Sequence, residues 1–529
     1  MKENKISKLF RIFAFLFITF NLIVISFFSS AQSKSSITIP SSSAQNKSTQ
    51  ITIENANTLE GERINGVDVK KLIGNVILGH EGALMYCDSA FFYNTTNSAD
   101  CFGNVRIVKG DSLRMNGDFL KYDGNRRTAR LVKNVRMTDS KMVLTTDTLD
   151  YDRNSEIANY NYGAKITDKE NNLTSKRGYY YTKDKVLFFK NDVKLDNPKY
   201  YLNCDTLKYT TNTKIAYFFG PTRIYSKGKD STFIYCENGW YNTVNDKSYF
   251  GKNAFIQSKE QHLSGDSLLY DKKNGFGEAF GNVFIIDTAQ RVMIQGDYGH
   301  FSEANNTSFV TGITTLTQAF DKDSLYLHAD TLFASYDSVS KSKSYFAYHH
   351  VKIFKTDLQG KCDSLVYSSY DSLIRFYTSP VLWSTKNQLT ADSISLQLAN
   401  NKISKMYLYT GAFITSQEDS LRYNQVKGKV MTGYFEDNEL KRIYVEGNGQ
   451  TLYYGRNKSE QIIGVNQAEC SDLIILIDSN KIKKITLLNK PDATFFPIKD
   501  AAPSDFLLKG FQWFGDSQPK KKEDIYVRD

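Results

Sequence analysis

The stretch Gly103-Asn104-Val105-Arg106-Ile107-Val108-Lys109-Gly110-Asp111-Ser112-Leu113-Arg114-Met115-Asn116-Gly117-Asp118, followed by Phe119-Leu120-Lys121-Tyr122-Asp123-Gly124, decides how the chain folds. Val105 and Ile107 share one face, as do Leu113 and Met115, and Leu120 and Tyr122. An apolar period of two is that of a half-buried strand. Asp123-Gly124-Asn125 supplies turn chemistry at the far end. Degraded copies of the stretch recur roughly every thirty residues from Gly74 to about Ala493, so the function has to be read from a repeat.

Two markers keep the phase. Asp-Ser/Thr-Leu or a close relative stands at Asp88, Asp147, Asp205, Asp266, Asp330, Asp363 and Asp392, with Asp118, Glu237 and Asp297 in the same place on weaker flanks. Gly/Lys-Asn-Val or a variant stands at Gly74, Gly103, Lys133, Gly251 and Gly281, and in eroded form at His349-His350-Val351. Two markers per period imply two chain passes per unit. Each pass carries a small or flexible residue near its middle, where a strand can bend from one sheet into another. The expectation is two stacked antiparallel sheets growing one unit at a time. Only Asp505–Phe514 reads as a short helix. Tyr 34 and Phe 35 are high counts, which suits β-structure with a wide interior.

Cysteine checks the phase independently. Cys87, Cys204, Cys236, Cys362 and Cys470 fall immediately before the motif acid or its substitute, where other repeats hold Gly117, Thr146, Gly265, Gly296, Ala329 and Ala391. That slot is a small-residue packing position, and its thiols act as small apolar side chains. Disulfides Cys204–Cys236 or Cys87–Cys101 are the alternative in an oxidising compartment.

The ends point to export. Residues 1–31 combine Lys2, Lys5, Lys8 and Arg11, an apolar run from Ile12 to Phe28, and Ser29-Ser30-Ala31, as in a cleaved signal peptide; an uncleaved anchor is the alternative. Cleavage removes those four cations and Glu3, which lowers the formal net charge of +10 by three, to +7. So modest an excess gives no reason to expect a nucleic-acid partner. Residues 32–50 read as a flexible leader, 51–300 as the clearest repeats, 301–490 as more divergent repeats and 491–529 as a C-terminal tail.

Gly66-Val67-Asp68-Val69-Lys70-Lys71-Leu72-Ile73-Gly74-Asn75-Val76, then Met85-Tyr86-Cys87-Asp88-Ser89-Ala90, then the Gly103 and Gly110 segments, resemble the OstA/LptA family of lipopolysaccharide-transport proteins. In length and leader the chain is similar to the long OstA-like periplasmic proteins of Bacteroidota-type bacteria. The resemblance implies an all-β, elongated open β-jellyroll enclosing a hydrophobic groove for acyl chains. It also implies a periplasmic location and partners among other jellyroll components and the outer-membrane translocon, met by edge-strand addition near Ile51–Ile53 and Ile482–Leu488. The tail with Pro497, Pro503 and Pro519 is too short for the transmembrane barrel that some relatives carry.

The groove candidates are Val76, Leu78, Val105, Ile107, Leu113, Met115, Val135, Met137, Leu149, Tyr151, Val283 and Ile285, with rim Lys and Arg facing the lipid headgroup. The same alternation would also fill a closed core. No catalytic elbow, zinc helix or phosphate loop is present, so no catalytic residue, metal ligand or cofactor is expected. The in-phase aspartates read as bend caps before they read as a calcium ladder. Asp-Ser/Thr-aliphatic triplets also resemble O-glycan acceptors. A polysaccharide-active β-helix enzyme and a surface adhesin or scaffold are the rival functions.

Overall fold

The computed structural model describes residues 49–528, apart from 65, 111–112, 140–141, 229–230, 401, 437–438 and 479–480. The expected signal peptide, and the leader up to residue 48, lie outside the described residues. The described chain is antiparallel β almost throughout, with thirty-four strands and a few 3-10 turns. It divides into an N-terminal unit (described residues 49–259 with 266–274) and a C-terminal unit (260–265 with 275–528).

In the N-terminal unit successive passes pair in chain order: Val67–His80, Ala83–Tyr93, Ser98–Lys109, Leu113–Asp123, Thr128–Asp139 and Met142–Asp152. Every pairing slips in its middle. Phe102 faces Phe119 and Val105 faces Gly117, so Gly103 and Asn104 oppose Asp118 alone, a β-bulge that bends the pass. Both bulged residues take left-handed φ, 74° for Gly103 and 45° for Asn104. The conformation recurs at Lys133-Asn134, Asn191-Asp192, Lys252-Asn253, Gly281-Asn282 and His349-His350. Asn is enriched there because a left-handed backbone strains it less than most residues.

The two sequence markers find each other at these bends. Asn104 Nδ2 donates to Asp88 Oδ2 (2.8 Å), Asn134 to Asp118 (2.7 Å) and Asn253 to Glu237 (2.9 Å). The eroded marker does the same through His350 and Asp330, and the pattern ends with Asn489 and Asp472. In these pairs the acid is the acceptor of a staple between one pass and the next bend. A Cβ on Gly103 would sit 2.4 Å from Asp88 Oδ2, so the staple needs glycine for room as well as for φ.

Each bent pass contributes half of itself to each of two facing walls. Met85, Ile107, Met115 and Met137 are register neighbours on one wall, and Cys101, Leu120, Leu131 and Leu149 on the other. All eight are buried. The six cysteines are unpaired and buried, five of them in the small-residue slot. At Gly296 in that slot a Cβ would come within 2.4 Å of Val310. The aromatics are not all interior as the composition suggested. Phe91, Phe102 and Phe119 form a ring row on the outer face, as do Tyr225, Phe233 and Phe255. The interior between Tyr160 and Phe250 is itself ring-rich, with Tyr180, Phe189, Tyr200, Tyr209, Phe218 and Tyr241 buried.

The C-terminal unit repeats the bent pass around Leu327, Val351, Ile394, Leu408, Met431, Val445 and Leu473. Lys481–Leu488 and Asp492–Pro497 both pair with Ile462–Asp478, as Thr52–Asn55 and Thr58–Ile64 both pair with Val67–His80. The short helix expected over Asp505–Phe514 is not formed. Single 3-10 turns stand at Pro503–Asp505 and Gly515–Ser517, and the chain between is irregular, with one turn at Lys509-Gly510 closed by Phe511 N donating to Leu508 O (2.9 Å). Two glutamines hold it so. Gln425 donates to Phe506 O (3.1 Å) and accepts from Leu508 N (2.9 Å); Gln388 does the same with Gln512 O (2.8 Å) and Phe514 N (2.7 Å). Phe506 and Leu508 bury themselves with Phe413, Leu452, Tyr454 and Val465 on the outer face of the wall.

Candidate functional site

Ile107, Leu113, Met115 and Tyr151 come together around a small cavity between the walls of the N-terminal unit, with Ala83, Met85, Tyr122, Ala129, Lys109 and Arg153 completing the lining. Val76, Leu78, Val105, Val135, Met137 and Leu149 line the same inner faces and are buried. Leu113, at the rim, is half-buried. Val283 and Ile285 are buried in the C-terminal unit and do not belong to this cavity. The cavity measures about 20 Å³, room for roughly one water, so the walls nearly meet at this point.

Sequence reasoning passed over Met85, Tyr122 and Ala129. Their signal was present, since Met85 alternates with Cys87 and Tyr122 with Leu120. Four of the chain's eight methionines, Met85, Met115, Met137 and Met142, are buried in this section of wall. Methionine's unbranched, polarizable side chain adapts to a changing space better than branched aliphatics do.

Charged residues cross between the two rows of turns above the cavity. Arg127 Nη2 lies 2.6 Å from Glu81 Oε1, and Arg153 Nη2 lies 3.7 Å from Glu81 Oε2. Lys109 meets Glu156 at 3.3 Å, and Lys185 meets Asp139 at 3.3 Å. Three of these pairs lie about one and a half repeats apart in sequence and Arg153–Glu81 about two and a half, whereas side chains of neighbouring turns on one row, such as Arg127 and Asn154, lie one repeat apart. Residues 49–51 enter the same row of contacts: Thr49 Oγ1 donates to Glu81 (2.7 Å), and Ile51 N donates to Asn97 Oδ1 (2.8 Å).

The electrostatics follow from these partners. The Thr49 hydroxyl and the Arg127 guanidinium hold the Glu81 carboxyl below its ordinary value, against the opposing effect of desolvation. Burial pushes the Tyr122 phenol up, although it accepts from Arg153 Nη1 at 3.1 Å. Burial and the hydrogen bond to Asp139 push Tyr180 up strongly. Cys101 is pushed up by its contact with Cys87 and by burial, while the same contact lowers Cys87.

A stack of bent antiparallel passes, with a recurrent staple at the bends and the two walls facing across an apolar interior, defines a bent-pass β-repeat protein. More narrowly, residues 48–205 match the family described as OstA-like protein, and this part of the chain is an OstA-like domain. The staple continues beyond the matched segment, at Glu237–Asn253, Asp330–His350 and Asp472–Asn489. The crystal structure of LptH from Pseudomonas aeruginosa, described as the LptA-homologous periplasmic component of the lipopolysaccharide transport device, is similar at 17% identity; the similarity covers 21% of this chain and 81% of that one, with a TM-score of 0.20. No curated protein matches the sequence.

Proposed function

We propose that the chain is a non-enzymatic periplasmic carrier that holds the acyl chains of lipopolysaccharide, or of a similar acylated glycolipid, between its two walls. The observation that carries this reading is the unbroken apolar lining of an OstA-like domain, from Val76 and Leu78 through Ile107, Met115 and Met137 to Leu149 and Tyr151. Keeping acyl chains from water is worth about 0.8 kcal/mol per methylene, and only an extended trough offsets that for a multi-chain lipid. The closed walls would part to admit the chains, with the methionine section yielding first. Edge strands at either end, Thr52–Ile64 and Lys481–Pro497, would pair with other jellyroll components of a transport bridge.

A β-helix enzyme is disfavoured by the antiparallel pairing of successive passes, since such a helix coils through parallel strands. The test is photo-crosslinking in cells. A crosslinker at Ile107 or Met115 should capture acylated glycolipid, and one at Lys121, exposed on the outer face, should not. Capture at neither interior position would defeat the proposal.

A further inference from the structure

The crossing charges are too regular to be scattered surface ion pairs. Asn97, Arg127, Glu156 and Lys185 occupy one position in four successive turns, the last residue before the chain re-enters a strand. All four adopt left-handed φ, between 50° and 59°. A left-handed backbone strains a residue with a Cβ, and glycine would fit there without that strain. Instead the position carries a side chain that reaches the opposite row: Asn97 to residues 49–51, Arg127 to Glu81, Glu156 to Lys109 and Lys185 to Asp139.

Beneath the second and third of these crossings lies the methionine-lined cavity, with Lys109 and Arg153 in its wall. The Arg153 side chain is only 10% exposed. Its Nη1 is held by His80 O (3.1 Å) and Tyr122 Oη (3.1 Å), yet its Nε is buried with no hydrogen-bond partner among the described residues. A buried guanidinium N–H without an acceptor is an expensive omission in a finished structure. Here it marks an acceptor that arrives from outside.

We infer that Lys109, Arg127 and Arg153 form a phosphate-binding site at the mouth of the N-terminal unit, engaged by a phosphorylated amphiphile as its hydrocarbon enters the cavity below. This inference rests on the carrier reading above. The phosphate oxygens replace Glu81 and Glu156 as partners of the three cations, and one accepts from Arg153 Nε. The carboxylates hold the mouth shut while no anion is present. Exchange of partners opens it, so the charge of the ligand and the admission of its chain are coupled. Guanidinium groups suit this exchange, since their fork geometry fits carboxylate and phosphate alike.

The test titrates the full mature chain calorimetrically with dodecyl phosphate and, separately, with uncharged dodecyl maltoside, both below micelle-forming concentrations. Lys109→Gln with Arg127→Gln should weaken dodecyl phosphate binding about tenfold or more, the equivalent of one lost charge-assisted hydrogen bond. Dodecyl maltoside binding should not weaken, because its chain makes only apolar contacts and loss of the latching pairs eases its entry. Glu81→Gln with Glu156→Gln should tighten dodecyl phosphate, and Lys109→Arg with Arg127→Lys should retain its binding, which separates lost charge from lost folding. Unchanged phosphate binding in the double glutamine variant, with maltoside still bound, would overturn the phosphate site and leave the carrier reading standing. Failure of the wild-type chain to bind either amphiphile would overturn both.

Discussion

The two units build the same bent pass and secure it differently. In the N-terminal unit the pairs of Glu81 with Arg127 and Arg153, Lys109–Glu156 and Lys185–Asp139 cross the mouth, beside pairs such as Lys247–Asp271 and Lys272–Asp246 that link turns close in sequence. In the C-terminal unit the named pairs Arg291–Asp321, Lys355–Asp323 and Arg456–Glu418 link turns close in sequence, and the chain's own tail is strapped over an outer face through Gln388 and Gln425. Crossing charges can exchange partners with a ligand, whereas a strap that buries Phe506 and Leu508 adds apolar contact and backbone hydrogen bonds that no ligand needs to break. On the proposed reading, ligand admission falls to the N-terminal unit, where the charges cross, and the strapped C-terminal unit takes no part in it.

The harshest way to break the comparison is a charge inside one unit only. Leu131→Asp places a carboxylate at a fully buried site and should destabilise the N-terminal unit by about 4 kcal/mol or more. Hydrogen exchange should then show protection lost across residues 67–152 and kept around Leu408 and Val445; uniform loss would mean that the units do not respond separately. Next in size, Phe506→Ala and Leu508→Ala should each cost about 2–4 kcal/mol, felt by the strands carrying Phe413, Leu452 and Tyr454 and not by the cavity near Met115. Gly103→Ala should cost about 1–3 kcal/mol through left-handed strain and its clash with Asp88, measured by denaturant midpoint.

The smallest effect concerns pH. Because the folded state holds Glu81 below its ordinary value of 4.5, the carboxylate stabilises the closed mouth above that pH. This contribution fades as pH falls through the lowered value. Protection from hydrogen exchange, taken relative to the intrinsic rate at each pH, should therefore fall in acid more at the 80–82 turn than at a bend such as Gly103-Asn104, and Glu81→Gln should abolish the difference. Equal loss of protection in wild type and variant would remove Glu81 from the account.

Much of the fold was legible because its determinants lie close in sequence. Alternation at Val105, Ile107, Leu113 and Met115 fixed the faces, and the two markers fixed the bends, since Asp88 and Asn104 are successive-pass neighbours joined by one hydrogen bond. The first bend was harder to see, because Asn57 stands where later repeats place the acid. The mouth was not legible. Its partners are one and a half to two and a half repeats apart, and the shared turn position holds Asn97, Arg127, Glu156 and Lys185, whose common feature is a backbone angle. The tail misled for a different reason. Residues 505–514 have local helical pattern, but the amides of Gln388 and Gln425 take the backbone groups that a helix would have used.

The most direct measurement of the central claim is native mass spectrometry of the mature protein purified without harsh detergent, followed by identification of whatever lipid is released. The account predicts an acylated, phosphorylated glycolipid in wild-type protein, lost when bulk fills the cavity, as in Ala129→Trp. Protein that is lipid-free when extracted from cells making such glycolipids, or lipid retained undiminished by Ala129→Trp, would contradict it.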